Sequence, residues 1–468
     1  MRPARHFALG AIAWAALLAG CAVGDPYQRP VIDLPAKFRG AEPAPASMAT
    51  SDWRVIFDDP ALHETIAAVL AANLDLAAAL TRVREAQSAV VVARAGGLPT
   101  LALGLQTSPT PRLPGESLTS SFLGAGLLNW EIDLWGRVQR ATEAAGADLA
   151  AVQAAREGVQ ASLVAQAASR LLELSALREV QAATEKNVRL QRESLRLMQR
   201  RNQAGIVSSA EVRQAEGQLA ATEARQPDLS RQIAATENAL SLLMARPPAP
   251  MPVVQVSLNL PAQLPAGLPS ALLERRPDLR QAEQQLVAAN ARVGVAKAQM
   301  LPSLSITGAF GRLSTELTDL LRSPASTVAS LGPNVTHTLY SGGALGANRD
   351  LALARLDQAL IAYRSAALGA LREVADALEA YRRSGEQASA QQVRVDAQRE
   401  ALRLADKRFG AGIVSFIEVL DAQRQLLAAE TDLVNARLAR QLAYVQVYRS
   451  LGGGWSSVAP LGTPPARG

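Results

Sequence analysis

Aromatic side chains make up only 4% of the 468 residues, so a compact core built around large rings is excluded. Histidine occurs three times and cysteine once. His6, His63 and His337 form no metal-ligand pair with one another or with Cys21 at a useful spacing, and no Ser, Cys or Lys stands in a nucleophile motif. The stretch SGGALG at Ser341 lacks the Gly-Lys-Ser/Thr ending of a phosphate loop and suits a strand-to-helix bend instead. Asp58-Asp59 suits a helix entry. The expectation is a chain that is not an enzyme and holds no metal and no dissociable cofactor. Blocks of basic residues are also missing: the net charge of +6 drops to +4 without Arg2 and Arg5, and the remaining basic side chains alternate with acidic ones. A nucleic-acid partner is therefore not expected.

Alanine and leucine do the packing, alongside abundant Gln, Glu and Arg, and that bias favours long helices lying side by side. At the N-terminus, Arg2 and Arg5 precede an apolar run from Phe7 to Gly20, which is shorter than the ~20 residues a spanning helix needs and reads as a signal peptide over residues 1–20. The run ends in LLAGC. This looks like the lipobox at which bacterial signal peptidases cut, with lipid attached to the new terminal Cys21; a buried apolar thiol is the plainer alternative. The resemblance implies an N-palmitoyl and an S-diacylglycerol group on Cys21. Ala22, where bacterial lipoproteins retained at the inner membrane carry Asp, implies an outer-membrane destination.

The pentapeptide AGIVS occurs at Ala204 and again at Ala411, and residues 204–224 match 411–431 at 12 of 21 positions without a gap. Upstream, VVARAGGLPTL ending at Leu101 aligns with VGVAKAQMLPSL ending at Leu304, and Asp75-Leu76 with Asp278-Leu279. The chain is a tandem duplication. The first repeat covers 61–245 and the second 271–452, joined by a Pro-rich connector over 246–270, with a lipidated N-terminal segment over 21–60 and a tail over 453–468.

Each repeat has the same order of elements. A helical segment, Ala61 to Gly97 or Asp278 to Met300, leads into a strand pair within 98–134 or 303–340. In the first pair Leu101, Leu103 and Leu105 share one face, and Leu128, Trp130, Ile132 and Leu134 alternate with Asn129, Glu131 and Asp133. In the second, Leu304, Ile306 and Phe310 alternate with Ser305, Thr307 and Ala309, and NVTHTLY forms the partner strand. A long helix then starts near Arg137 or Gly343 and runs for roughly 100 Å at 1.5 Å per residue to AGIVS. There Gly205 or Gly412 stops it, and Ser208 or Ser415 caps a returning helix, Ser209 to Ala245 or Phe416 to Leu451. The pentapeptide is thus a hairpin tip, serving either turn geometry alone or a docking surface.

Four strands per chain are too few to close a membrane barrel, and an open edge in lipid leaves unpaired backbone groups costing several kcal/mol each. Copies must pool strands: two give eight, three give twelve, and the periodicity does not choose.

The chain resembles the TolC/OprM-type outer-membrane factors, in their NodT-like efflux lipoprotein branch. The segments that carry the likeness are WRVIFDDPAL from Trp53, NLDLAAALTRVREAQ from Asn73, NWEIDLWGRV from Asn129, LLERRPDLRQAEQQLVAANARVGVAKAQMLPSL from Leu272, SGGAL from Ser341, LREVADAL from Leu371, VLDAQRQL from Val419 and LGGGW from Leu451. The resemblance implies a mainly α fold with membrane β structure: an internally duplicated TolC-like chain whose homotrimer forms a 12-stranded β-barrel continuous with a long α-helical barrel. It further implies an outer-membrane exit duct for a tripartite efflux system, partnered by a periplasmic adaptor (membrane fusion protein) and an inner-membrane pump. A duct for type I protein secretion is the alternative within that class. A periplasmic helical adaptor lipoprotein would show one hairpin flanked by lipoyl-like and barrel domains, and a purely structural coiled-coil lipoprotein would lack the amphipathic strands.

By the same resemblance the periplasmic gate falls on Asp421 and Arg424 of the run Leu420-Asp421-Ala422-Gln423-Arg424, with Ile417 in the place of an apolar gate residue that relatives usually supply as Leu. Taken alone, Asp421 and Arg424 are an ordinary i,i+3 pair on a solvated helix. The tips Gly205, Val207 and Ser208 with Gly412, Val414 and Ser415 inherit the adaptor contacts. Cargo is not legible, although the lack of Met or His clusters along the tunnel helices disfavours dedicated metal export.

Overall fold

The computed structural model describes residues 23–39, 47–110, 119–320 and 326–453; Cys21 and the segment 1–20 lie outside them. The principal elements are α1 (Pro60–Ala72), α2 (Leu74–Ala95), β1 (Thr100–Thr110), β2 (Thr119–Ile132), α3 (Arg137–Gln203), α4 (Ser209–Glu223), α5 (Arg225–Leu243), α6 (Pro277–Ala298), β3 (Ser303–Ser314), β4 (Ser326–Thr336), α7 (Ala344–Gly410) and α8 (Phe416–Ser450). Two compact units result. One takes the described residues of 23–32, 81–154 and 281–365, the other those of 33–80, 155–280 and 366–453.

The first unit contains a four-stranded antiparallel sheet in the order β1-β2-β3-β4. Directly opposed residues share a face, so the register sorts the side chains. Leu101 opposes Leu128, Ile132 opposes Leu304, Trp130 opposes Ile306, and Leu304 opposes Val335, giving one apolar face. On the other, Thr100 opposes Asn129, Asn129 opposes Thr307, and Glu131 opposes Ser305, which opposes Asn334. The apolar face is bare: Leu101, Leu103, Phe310 and Leu331 are exposed. β1 and β4 each lack a second partner strand among the described residues. Gly311 lets β2 and β3 close up, since a Cβ there would stand 2.1 Å from the Gly124 carbonyl oxygen.

The strand limits differ from the sequence expectation. β4 begins at Ser326 and ends at Thr336, so His337, Leu339 and Tyr340 of NVTHTLY fall beyond it. Upstream it takes in Ser326 to Pro333, which the sequence expectation left out; proline is tolerated on an edge strand, where one row of N–H groups has no ladder partner. β2 ends at Ile132 because Asp133 turns to cap α3, its carboxylate accepting from the N–H of Val138 and Gln139; Leu134 is therefore not part of the alternation.

An N-terminal strap lies along α6 in the same unit. The Val23 N–H donates to the Trp135 carbonyl at 3.0 Å, Arg140 Nη2 to Gly24 O at 2.6 Å, and Asn290 Nδ2 to Asp25 O at 3.0 Å. Gly24 and Gly294 meet where neither has room for a Cβ. Farther on, Arg29 grips Glu283 through two 2.6 Å hydrogen bonds. Burial, then the Glu283 carboxylate, push the neighbouring Tyr27 phenol above its ordinary value.

Five of the scarce aromatic residues cluster in the second unit, Trp53, Phe57, Tyr381, Tyr444 and Tyr448. Trp53 and Phe57 are fully buried, and Phe57 packs edge-on against Tyr448 at 5.4 Å and Tyr444 at 6.4 Å, with Tyr381 5.9 Å from Tyr444. The expected single helix Ala61 to Gly97 is instead α1 and α2, bent by 44° at Asn73. Asn73 Oδ1 accepts from the N–H of Asp75 and Leu76 while its Nδ2 donates to Leu243 O, so one side chain ends one helix, starts the next and ties both to α5. In the second repeat the matching position is Arg276. Its guanidinium donates to Ser450 O at 2.9 Å and to the Asp278 and Glu373 carboxylates at 2.6 and 2.8 Å. The expected return helix Ser209 to Ala245 is also two helices, because Pro227 in the first turn of α5 has no N–H to continue the ladder. Among the described residues no single helix is long and apolar enough to cross a membrane; α1 and α2 pass that test only as a bent pair.

Gly311→Val should prevent the β2–β3 ladder from closing. The expected outcome is loss of the folded, assembled species on unheated gel electrophoresis together with loss of sheet signal by circular dichroism.

Candidate functional site

Both hairpin tips are built by the same backbone device. The Gly205 N–H donates to Asn202 O and the Ile206 N–H to Arg201 O; in the second repeat Gly412 donates to Phe409 O and Ile413 to Arg408 O, all at 2.9 Å. These paired bonds form a Schellman motif, which requires the glycine's left-handed φ, here 72° and 73°. A shared core lies beneath the tips. Met198 of α3, Val212 and Ala215 of α4, Ala405 of α7 and Phe416, Val419 and Leu420 of α8 are all buried in it, with Val207 and Phe409 packed at its edge.

The side chains around the tips are not duplicated. Ser208 and Glu211 form a full capping box, and Asn202 Nδ2 donates to Val207 O at 2.8 Å. In the second tip Ser415 makes no side-chain cap bond, and Glu418, the counterpart of Glu211, lies 3.3 Å from Arg408 instead. Phe409 stands where the first tip has Asn202, and it packs on Phe416 at 5.1 Å with the Arg201 guanidinium 5.1 Å from its ring centre.

Of the tip residues expected from sequence, Gly205, Ser208, Gly412 and Ser415 are exposed, while Val207 and Val414 are half-buried. The apolar side chains actually offered to solvent are Ile206 and Ile413, 70% and 68% exposed. Sequence reasoning passed over both. The signal was present, since each directly follows the left-handed glycine of the repeated pentapeptide.

Ile417, Asp421 and Arg424 lie at i, i+4 and i+7 on the exposed face of α8, opposite the buried Phe416, Leu420, Gln423 and Leu427. Arg424 Nη2 donates to Asp421 Oδ1 at 2.5 Å, with both side chains more than half exposed. Such a pair contributes roughly 0–1 kcal/mol, so its position, not its strength, gives it significance. Gln423 is a residue the sequence did not flag: it is buried, and its Oε1 has no hydrogen-bond partner. One turn before the second tip, burial pushes the Asp406 carboxyl above the usual carboxylate range. Among the described residues no group of His, Cys, Asp and Glu is arranged to hold a metal ion.

Comparison with known proteins gives one answer. The description "outer membrane efflux protein" matches residues 65–246 and 268–453, one match for each repeat. The solvent efflux pump outer membrane protein SrpC of Pseudomonas putida is 34% identical over 456 residues, covering 94% of this chain and 97% of the relative. The cation efflux system protein CusC of Escherichia coli O6:H1 is 31% identical over 94% of this chain and 96% of its own. Among solved structures, a membrane protein from Pseudomonas aeruginosa superposes with a TM-score of 0.85 at 30% identity, covering 94% of this chain and 99% of the other. The open state of the Neisseria gonorrhoeae MtrE outer membrane channel gives 0.83 at 28% identity, over 93% and 99%.

The unequal caps predict unequal tips. Ser208→Ala should cost about 1 kcal/mol of local stability, and Ser415→Ala distinctly less. Hydrogen exchange of the amides that follow each tip measures both, with faster exchange expected only in the first variant.

Proposed function

Since this chain belongs to the outer membrane efflux protein family and is an outer-membrane efflux channel, we propose that it is the exit duct of a tripartite, RND-type system, working as a homotrimer. The observation that carries this reading is the sheet with one bare apolar face and two edges that lack partner strands. Three copies joined edge to edge would supply twelve strands and leave no backbone polar group open to lipid. The duct is passive in this scheme: the periplasmic adaptor receives the tips, and an inner-membrane pump supplies both cargo and energy.

Lipid on Cys21 fits the strap. Val23 is held against Trp135, three residues past the end of β2, and two residues of chain span at most about 7 Å. Acyl groups on Cys21 would therefore enter the bilayer beside the sheet. Replacing Cys21 with Ser should abolish incorporation of labelled palmitate while leaving the folded chain intact.

The gate assignment rests on symmetry. In a trimer each Asp421 would face two copies of itself about one axis, where like charges oppose closure unless Arg424 or bound cations offset them. Exposure of the whole Ile417, Asp421 and Arg424 face in the single chain supports this, because a lumen-facing stripe has no partner within its own subunit. The adaptor would meet Gly205, Ser208, Gly412 and Ser415 together with the exposed Ile206 and Ile413.

Reconstitution in planar bilayers tests the channel: discrete, long-lived conductance steps are expected, and an absence of pore activity from the folded oligomer would overturn the reading. Asp421→Ala should raise the single-channel conductance. Gly412→Trp should reduce efflux in cells without reducing assembly.

A further inference from the structure

We propose that the connector between the repeats is a docking edge for an extended acidic segment of another protein. Residues 251–260, MPVVQVSLNL, contain no helix and no turn. Their burial alternates: Val254, Val256, Leu258 and Leu260 are half-buried, while Gln255, Ser257 and Asn259 are exposed, the pattern of a β-strand laid on a surface. Yet from Val253 to Leu260 the segment makes no backbone–backbone hydrogen bond among the described residues. Side chains hold it in place. Arg178 takes the carbonyls of Met251 and Pro252, Tyr381 Oη donates to Pro261 O at 2.5 Å, Ser175 Oγ accepts from the Val256 N–H at 3.4 Å, and Asp59 accepts from the Ser257 N–H at 3.0 Å.

In an extended chain alternate residues direct their N–H and C=O groups to the same edge. Val256 faces Ser175, so Val254, Leu258 and Leu260 present theirs on that side too. The same side is hollow. Leu258, Arg437 and Gln441 line two adjoining cavities of about 480 and 270 Å³, the first extended by Leu260, Gln392 and Arg440, the second by Ser175 and Val256.

The charge of the hollow selects its occupant. Arg437 and Arg440 stand one turn apart on α8. Arg440 lies 5.3 Å from the centre of the Tyr381 ring, and its Nε is buried without a partner. Arg437 donates to Gln392 Oε1 at 2.8 Å and reaches Glu179, the one acidic lining residue, only at 3.9 Å. The backbone groups of Val254, Leu258 and Leu260, on either side of the Val256 N–H that Ser175 holds, lie beside two guanidinium groups and fit a peptide that adds as a strand and carries carboxylates at alternate positions. These residues share the second unit with the tips and the gate face, but Arg437 follows Arg424 by 13 residues on α8, roughly 20 Å along the helix, so the groove is distinct from the proposed gate.

The test uses the purified full-length oligomer in detergent and a fluorescein-labelled decapeptide of alternating Val and Glu. The expected result is binding about tenfold or more tighter than that of the Val/Lys decapeptide, a difference of ~1.4 kcal/mol. It should weaken in Arg437→Gln and Arg440→Gln and disappear when alternate peptide nitrogens are methylated, with single-channel conductance unchanged in both variants. No binding, equal binding of the two peptides, or indifference to N-methylation would overturn the proposal. Binding that emerges only after residues 454–468 are removed would also overturn it, by giving the groove to the chain's own tail.

Discussion

Backbone polarity in an apolar solvent is the constraint on which this molecule depends. Each N–H and C=O group placed in hydrocarbon must find a partner in protein, because water cannot supply one. The β1–β2, β2–β3 and β3–β4 ladders satisfy the interior of the sheet, and the bare leucines of its apolar face are stable only against lipid. Among the described residues the outer rows of β1 and β4 remain open, and the homotrimer proposed above would fill them with copies of the same chain. Pro109 and Pro333 both lie on these edge strands, whereas the inner strands β2 and β3 contain no proline. The duplication follows from the same need: each repeat contributes one hairpin of strands, and β2 meets β3 although they are far apart in the chain.

Duplication copied the backbone more faithfully than the side chains. The Schellman bonds are 2.9 Å in both tips, and in each repeat the residue at the first helix break donates to a carbonyl near the end of the returning helix, Asn73 to Leu243 and Arg276 to Ser450. The chemistry at those equivalent points then diverges. Asn73 joins neighbours through a neutral amide; Arg276 brings a buried charge that must also engage Asp278 and Glu373. One tip is held by a capping box and an asparagine amide, the other by a tilted pair of phenylalanine rings. The repeats are one scaffold with two specialisations, and the second carries the Ile417, Asp421 and Arg424 face.

Much of this was legible from residue order alone. A glycine followed three positions later by serine, inside a stretch with apolar residues at helical spacing, specifies a stop and a restart, and strict apolar alternation at Leu101 and at Leu304 specifies strands. Two kinds of feature were not legible. The break at Asn73 depends on a contact with Leu243, 170 positions away, which no local pattern records. The upstream half of β4, Ser326 to Pro333, depends on its ladder with β3 and not on a local pattern. The candidate site divides in the same way. Helical periodicity places Ile417, Asp421 and Arg424 on one face, whereas the exposure of Ile206 and Ile413 in place of Val207 and Val414 is decided by which side chain the shared core can reach.

The distribution of large side chains completes the account. In the second unit the rings of Trp53, Phe57, Tyr381, Tyr444 and Tyr448 are concentrated near the C-terminal end of α8, and the Tyr444 and Tyr448 hydroxyls also donate to Ile56 O and Ser51 O. Phe416 lies 28 residues earlier, roughly 42 Å along the helix. Around it lies a second cluster, Met198, Val212, Ala215, Ala405, Val419 and Leu420, with Phe409 at its edge. Since local opening free energy follows local burial and contact density, the two ends of α8 are held by different cores, large rings at one and mainly aliphatic side chains at the other. In the scheme proposed above, a gate at Asp421 and Arg424 would sit on the end of α8 that lies away from this ring cluster. The unpartnered Gln423 oxygen lies at the same end, so movement there breaks no hydrogen bond of that oxygen.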